Sequence, residues 1–327
     1  MIYSRRDYFN VDFCEELRAR GVTVSKGDLG VRITGLVAFN HSAQALAKAI
    51  DEAVPVSQRI LIVEEPPPVR PDQYRSEIYG NYGHVVCTSN FLASQFIGVD
   101  TSVVRIADMP KIRTLPSLEE YRARENSACI IQANKFSCVP HERYTLRRSA
   151  ISFAQKRSIP IAVYGKGWNQ GFERDWWQFR WALSNARRNR SVSPKSFVRL
   201  GLKVRDYRGT LESKWDALDS HRLSLVIENF SEYTSEKVLD SVAGGTLTLY
   251  IGPDLAECGL PSPMVEYADP HAKRLVSKVG HLLSLPAERQ YELLSRQHTL
   301  ATVVMDQFRL SVHQRLATLV SEILRAG

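Results

Sequence analysis

The sequence predicts an α/β protein with two domains, each built around a parallel sheet. Short apolar runs rich in strand-forming residues alternate with helix-like segments along most of the 327 residues. A chain of this length can form two domains with separate cores. The clearest unit spans 221–252, where a strand, a polar loop, a helix and a second strand predict a parallel βαβ crossover.

The first domain is placed at 1–110. Its apolar patterns predict helices over 13–20, 43–53 and 89–96, and strands over 22–24, 28–37, 59–63 and 84–88. A polar, charged segment over 111–127 is interpreted as a linker.

The second domain is placed at 128–298. We expect strands over 128–132, 159–164, 223–227, 246–251 and 265–268, and helices over 142–156, 236–243, 271–283 and 288–296. Residues 299–327 keep an apolar stripe at helical spacing and predict a long amphipathic C-terminal helix.

Composition and charge restrict the class of protein. The net charge is +8 and the isoelectric point about 9.2, which suits a phosphate-bearing substrate, an anionic membrane surface or nucleic acid. No apolar run approaches the roughly 20 residues of a membrane span, and no signal-peptide core is present. The five cysteines are scattered without a CxxC pair, which favours a reducing, cytoplasmic compartment over a disulfide framework or a zinc site.

The loop that follows the strand at 223–227 is rich in polar side chains: Glu228, Asn229, Tyr233, Glu236 and Lys237. Ligands of open α/β sheets bind at the carboxyl ends of strands, and a helix N-terminus favours anions. A lysine in the first helical turn opposes the helix dipole, so an anionic ligand such as a diphosphate would explain it. A solvated surface loop is the alternative.

Two further segments place charged side chains at the end of a strand or the start of a helix. Glu64 and Glu65 end a strand before three prolines and are candidates for a general base, or for a solvated, proline-stiffened turn. Arg143 opens the helix over 142–156 and could contact phosphate, whereas Arg147 and Arg148 are predicted to lie on the surface.

The segment 171–208 combines tryptophans with many arginines and lysines. Inward packing of the tryptophans with solvated basic side chains is the favoured interpretation. A role at an acceptor or membrane surface ranks second, and nucleic acid is not expected as a partner.

The loop and its flanks resemble the signature of the α-1,3/1,4-fucosyltransferases, glycosyltransferase family 10. The resemblance rests on Glu228-Asn229, on Tyr233, Glu236 and Lys237 at the family's spacing, and on Gly245 with Tyr250-Ile251-Gly252. This chain departs from the family at three positions: valine is replaced by Thr234, threonine by Ser235 and proline by Thr248.

This resemblance implies a GT-B fold, two Rossmann-like domains facing each other across a cleft. It implies inverting, metal-independent transfer of L-fucose from GDP-fucose, with no cofactor besides that donor substrate. Arg143 and Lys237 would stabilise the leaving GDP, Asn229 and Tyr233 would contact phosphate or sugar, and Glu236 would contact ribose or sugar.

The family's base aligns with Glu65, with Glu64 as the alternative. In some members the base lies two residues earlier, where this chain has Val63. The expected acceptor is a glycan or glycolipid, met in the cytoplasm or at the inner membrane surface. Two rival functions stay open, namely transfer from a different nucleotide sugar and non-catalytic binding of a glycan or polyanion.

Overall fold

The computed structural model describes residues 2–3, 9–24, 33–104, 110–169, 180, 202–307 and 312–326. In chain order the helices and strands are β1 (Ile2–Tyr3), α1 (Phe9–Ala19), β2 (Leu36–Phe39), α2 (Ala43–Asp51), β3 (Arg59–Ile62), α3 (Ser76–Tyr79), β4 (His84–Cys87), α4 (Asn90–Ala93), β5 (Asp100–Val103), α5 (Leu118–Ala123), β6 (Glu125–Ile131), α6 (Tyr144–Lys156), β7 (Ile161–Tyr164), α7 (Lys214–Ser220), β8 (His221–Ile227), α8 (Glu236–Ala243), β9 (Leu247–Ile251), β10 (Glu266–Tyr267), α9 (Ala272–Ser284), α10 (Ala287–Gln307) and α11 (Val312–Ala326). They form two compact units, Met1–Asp108 with Phe308–Gly327, and Met109–Gln307.

Unit 1 contains a parallel sheet in the order β1-β2-β3-β4-β5. Every residue of β2 and β3 is buried because both faces of the sheet are covered, and only Arg59 among them is not apolar. On one face, α1 and α11 pack together over β2, β3 and β4 through buried side chains that include Phe13, Leu17, Leu316 and Val320.

Unit 2 contains a second parallel sheet in the order β10-β9-β8-β6-β7. The chain builds outwards from β6 to β7 on one side and then returns to place β8, β9 and β10 on the other. The strand order therefore reverses between β6 and β8. In a doubly wound sheet, this reversal opens a crevice at the carboxyl ends of the two strands, where ligands bind.

Most expected elements are confirmed, and four segments differ. The strand expected within 28–37 is observed at Leu36–Phe39. Residues 22–24 are not a strand, because Gly21 N and Val22 N donate to the carbonyls of Arg18 and Leu17 and close the end of α1. The segment 111–127 contains α5, which starts with a capping box between Ser117 and Glu120, and the first residues of β6. The expected terminal helix over 299–327 corresponds to the end of α10, in unit 2, and to α11, in unit 1.

The tryptophan- and arginine-rich segment lies almost wholly outside the described residues, and its interpretation stays a prediction. Trp168, just before it, is buried and donates from Nε1 to the carbonyl oxygen of Gln132 at 2.6 Å. No helix in the part of the chain described is long and apolar enough to cross a bilayer.

Candidate functional site

The crevice of unit 2 is formed by two loops, one after β6 and one after β8. The loops are joined by main-chain hydrogen bonds, from Arg143 N to Asn229 O at 3.1 Å and from Ser231 N to His141 O at 3.2 Å. Each loop leads into the N-terminus of a helix, α6 and α8 respectively. The segments that sequence analysis singled out in this unit therefore meet at one edge of the sheet.

Glu228 organises the start of α8. Its fully buried carboxylate accepts hydrogen bonds from Ser235 N at 2.9 Å and Ser235 Oγ at 2.7 Å. Ser235 is the N-cap of α8, and its Oγ also receives the ammonium of Lys237 at 3.0 Å. Glu228 thus holds the cap residue, and through that residue it fixes the position of Lys237.

Arg143 lies at the N-cap of α6 and brings a cation into the crevice. Burial lowers the pKa of its guanidinium, while Tyr250 and Glu228 act in the opposite direction. Its Nη1 is buried and has no hydrogen-bond partner among the described residues. A buried guanidinium nitrogen without a partner is costly, so this position favours an anionic ligand.

The prediction that Arg147 and Arg148 lie on the surface is wrong. Their side chains are 2% and 1% exposed, because the face of α6 that carries them packs against the rest of unit 2. Arg147 donates to Ile227 O and to Asn229 Oδ1, the latter at 2.7 Å, and burial lowers its pKa to about 10. Arg148 donates to Lys135 O and to Thr145 Oγ1.

The other donor-site candidates differ in exposure. Asn229 is buried and its side-chain oxygen is engaged by Arg147, whereas Tyr233 is half-buried. Glu236 is exposed in the first turn of α8, with its carboxylate 3.6 Å from Lys237 Nζ. The crevice therefore offers cations and a carboxylate beside a helix N-terminus, a combination that suits phosphate and sugar hydroxyls.

Glu64 and Glu65 belong to unit 1, at the carboxyl end of β3. Both line a pocket of about 690 Å³. Asn40, which follows β2, accepts hydrogen bonds from both glutamate amides at 3.2 Å and donates to Glu64 Oε2 at 3.0 Å. Val63, by contrast, is fully buried in the core, so its position cannot present a side chain to a ligand.

Sequence analysis missed two polar residues of this pocket, Asn40 and His41. The signal was present, because they follow the apolar strand Leu36–Phe39 directly and precede the N-cap Ser42. This is the same pattern of polar residues after a buried strand that singled out Glu64. The pattern is not apparent when the strand is placed within 28–37, because Asn40 and His41 then do not follow its end directly.

Thr248, where the resembling family has proline, is part of β9. Its amide donates to Gln297 Oε1 at 2.9 Å, and its carbonyl accepts from Gln297 Nε2 at 3.1 Å. Proline has no N–H and could not make the first of these bonds. The hydrogen bonds between Gln297 of α10 and β9 therefore require a residue other than proline at position 248.

Within the described ranges, no group of three or more His, Cys, Asp and Glu side chains is arranged to hold a metal ion.

No family model and no curated protein matches the sequence. Several solved structures do resemble the chain. Anabaena Alr3699/HepE in complex with UDP and glucose matches with a TM-score of 0.53 at 12% identity, covering 88% of this chain and 77% of that one. TarM matches with a TM-score of 0.52 at 10% identity, covering 88% and 54% respectively.

The pneumococcal O-GlcNAc transferase GtfA in complex with UDP and GlcNAc matches with a TM-score of 0.51 at 9% identity, covering 94% of this chain and 59% of that one. The chain thus spans little more than half the length of GtfA and TarM. At such identities the likeness shows the fold. The two parallel α/β units have the Rossmann-like architecture of the GT-B class.

Proposed function

We propose that the chain is a glycosyltransferase that uses a nucleotide-sugar donor. The donor diphosphate binds in the crevice of unit 2, and a glycan or glycolipid acceptor binds in the pocket of unit 1. The observation that carries the proposal is Arg143, whose buried Nη1 has no hydrogen-bond partner at the point where the strand order reverses. A diphosphate would supply both the charge and the acceptor oxygens that this guanidinium lacks.

The remaining donor contacts follow from the crevice. Lys237 neutralises charge on the leaving diphosphate, while Glu228 and Asn229 act mainly by fixing the loops. Tyr233 and Glu236 contact sugar or ribose hydroxyls. Because positive side chains stabilise the leaving group, the proposed transfer needs no metal ion.

Our first candidate for the reaction is inverting transfer of L-fucose from GDP-fucose, which the resemblance to family 10 supports. The acceptor hydroxyl would lose its proton to a base in unit 1, for which the same resemblance implies Glu65 or Glu64. The anomeric configuration of the product, measured by NMR, distinguishes inversion from retention.

A UDP-sugar is the second candidate donor. It is favoured because the structures of Alr3699/HepE and GtfA that share this fold were solved with UDP. The two candidates differ in the nucleobase, so nucleotide binding separates them before any acceptor is known.

The test is a thermal-shift panel of GDP, UDP, ADP, CMP and GDP-fucose. A ligand at 100 times its Kd stabilises the native state by about 2.7 kcal/mol, which raises the melting temperature of a unit of this size by roughly 5 to 11 °C. Arg143→Ala should weaken binding roughly 10- to 100-fold. Arg157→Ala, at the exposed opposite end of α6, is the control and should bind like wild type. No shift with any nucleotide would refute the proposal.

A further inference from the structure

The pocket of unit 1 contains a histidine that the sequence pattern did not single out, because the histidines are scattered along the chain. His41 follows β2 and lines the pocket together with Asn40, Glu64 and Glu65. Arg70 and Asp72, from the turn after β3, also line the pocket and form an ion pair at 3.2 Å. The pocket therefore holds one imidazole among carboxylates, amides and guanidinium groups.

The imidazole of His41 is held at a fixed place. Nδ1 lies 3.2 Å from the hydroxyl of Tyr82, a side chain only 1% exposed, and the two rings meet edge to face. The main chain of His41 is also clamped, because its N–H donates to Gln73 Oε1 at 3.3 Å and its carbonyl accepts from Arg70 Nη2 at 2.9 Å. Since Tyr82 engages Nδ1, the opposite nitrogen, Nε2, is the one left for a ligand.

We propose that His41 Nε2 is the general base that takes the proton of the acceptor hydroxyl. This deepens the proposed function and rests on it. As the proton moves to Nε2, the acceptor oxygen bonds to the anomeric carbon of the donor. The bond from that carbon to the diphosphate breaks, and its electron pair leaves with the nucleotide. His41 acts in the tautomer whose Nδ1–H donates to the Tyr82 oxygen.

Two of the three positions that the resemblance suggests are poorly suited to this role, and the surroundings of His41 suit a base. One oxygen of Glu64 already accepts from Asn40, and the earlier family position is occupied by the buried Val63. Burial lowers the pKa of His41 below its usual value, so the ring is neutral and able to accept a proton at neutral pH. Asp72 counters this shift and would stabilise the imidazolium as it forms.

The charged groups around His41 come from three segments. Arg70 and Asp72 flank it from the turn after β3, and Arg75 precedes α3, whereas Glu64 and Glu65 follow β3. In this arrangement the glutamates line the pocket beside the proposed base, where they would contact acceptor hydroxyls. We therefore expect their replacement to raise the KM for the acceptor more than it lowers kcat.

The test compares transfer by His41→Gln, Glu64→Gln, Glu65→Gln and wild type in the full chain. His41→Gln should lower kcat about 10²- to 10⁴-fold and abolish the acidic limb of the pH profile of kcat/KM. Imidazole should restore part of the activity to His41→Ala. His84→Gln is the control. His84 is half-buried in the same unit, but it lies at the amino end of β4, whereas the pocket lies at the carboxyl ends of β2 and β3. Its Nε2 is hydrogen-bonded to Ser102 Oγ. This variant should keep wild-type kcat.

Nucleotide thermal shifts in His41→Gln should equal those of wild type, which shows that the variant is folded and that unit 2 is intact. If His41→Gln keeps kcat within threefold, or if Glu64→Gln or Glu65→Gln shows the large loss instead, the inference is overturned while the proposed function stands. If wild type neither binds nucleotide nor transfers sugar, the proposed function fails and the inference fails with it.

Discussion

Arg147 donates from both Nε and Nη2 to the main-chain carbonyl of Ile227, at 3.1 and 2.5 Å. Ile227 is the last residue of β8, and its carbonyl also accepts a hydrogen bond from Gln132 Nε2 at 2.7 Å. Arg147 lies on α6, and its Nη2 also donates a hydrogen bond to Asn229 Oδ1 in the loop that follows β8. A buried cation thereby satisfies the polar groups of a strand end and fixes the loop that carries the candidate donor site.

Removing this side chain should destabilise unit 2 strongly. Arg147→Met leaves the Asn229 amide oxygen buried without its donor and the Ile227 carbonyl with only the hydrogen bond from Gln132 Nε2, at a cost of roughly 1 to 3 kcal/mol. Urea unfolding of the full chain measures the change. The control is Arg157→Met, an exposed arginine at the end of the same helix, which should stay within about 0.5 kcal/mol of wild type. Equal effects of the two substitutions would contradict this role for Arg147.

The same helix shows what a sequence can and cannot indicate. The apolar spacing of α6 and the polar loop before α8 were predicted correctly, because both depend on neighbours in the sequence. The burial of Arg147 and Arg148 depends on β8, which lies about 80 residues further along the chain. No local pattern distinguishes an arginine that packs under a strand end from one that faces water.

Strand order is a second property that local patterns do not carry. The sequence predicted β6, β7 and β8 individually, but the reversal between β6 and β8 is decided by which edges pair in the folded sheet. The candidate site could still be anticipated, since carboxyl ends of parallel strands share one edge whatever their order. The structure was needed to distinguish Glu228, which holds the loop, from Arg143, whose Nη1 has no hydrogen-bond partner among the described residues.

Glu228→Gln should separate the structural role of this residue from direct donor contact. The glutamine amide places a donor against Ser235 N or Ser235 Oγ, where the carboxylate accepted from both. We expect a loss of roughly 1 to 3 kcal/mol in stability. Ser235→Ala removes the helix cap and should cost about 1 kcal/mol. Urea unfolding gives both values, and a Glu228→Gln protein as stable as wild type would show that the carboxylate is not holding the cap.

Gly165 allows β7 to approach the end of β6. Its φ is +119°, and a Cβ atom there would lie 2.7 Å from the carbonyl oxygen of Gln132. Gly209 also has a positive φ, +88°, but nothing lies within 4 Å of its Cβ position. The two glycines pair through a main-chain hydrogen bond, from Gly165 N to Gly209 O at 2.8 Å.

Alanine at these two positions should therefore give different results. Gly209→Ala meets only backbone strain, for which we expect about 1 kcal/mol of destabilisation. Gly165→Ala adds a clash with a main-chain oxygen that cannot rotate away, and we expect at least about 2 to 3 kcal/mol. Thermal unfolding of both variants provides the comparison. A Gly165→Ala protein no less stable than Gly209→Ala would rule out the close approach.

His221 should make the stability of unit 2 depend on pH. The ring is fully buried, with Nδ1 2.7 Å from Ser127 Oγ and Nε2 3.0 Å from Tyr164 OH. Burial lowers its pKa, a shift that Glu125 and Asp206 oppose and Arg208 reinforces. Between this lowered pKa and the unfolded value of about 6.5, the unfolded chain binds more protons than the native one.

The free energy of unfolding should therefore be fully retained above pH 6.5 and should fall as the pH drops through that window. His221→Gln removes the titrating group and should reduce the dependence between pH 8 and 5.5, while the lost hydrogen bonds lower stability by roughly 1 to 3 kcal/mol at pH 8. His281→Gln, an exposed histidine of α9, should keep the wild-type slope. Urea midpoints across this range test the expectation. A slope that is unchanged in His221→Gln would assign the pH dependence to other groups, of which His41 and His84 in unit 1 also have pKa values lowered by burial.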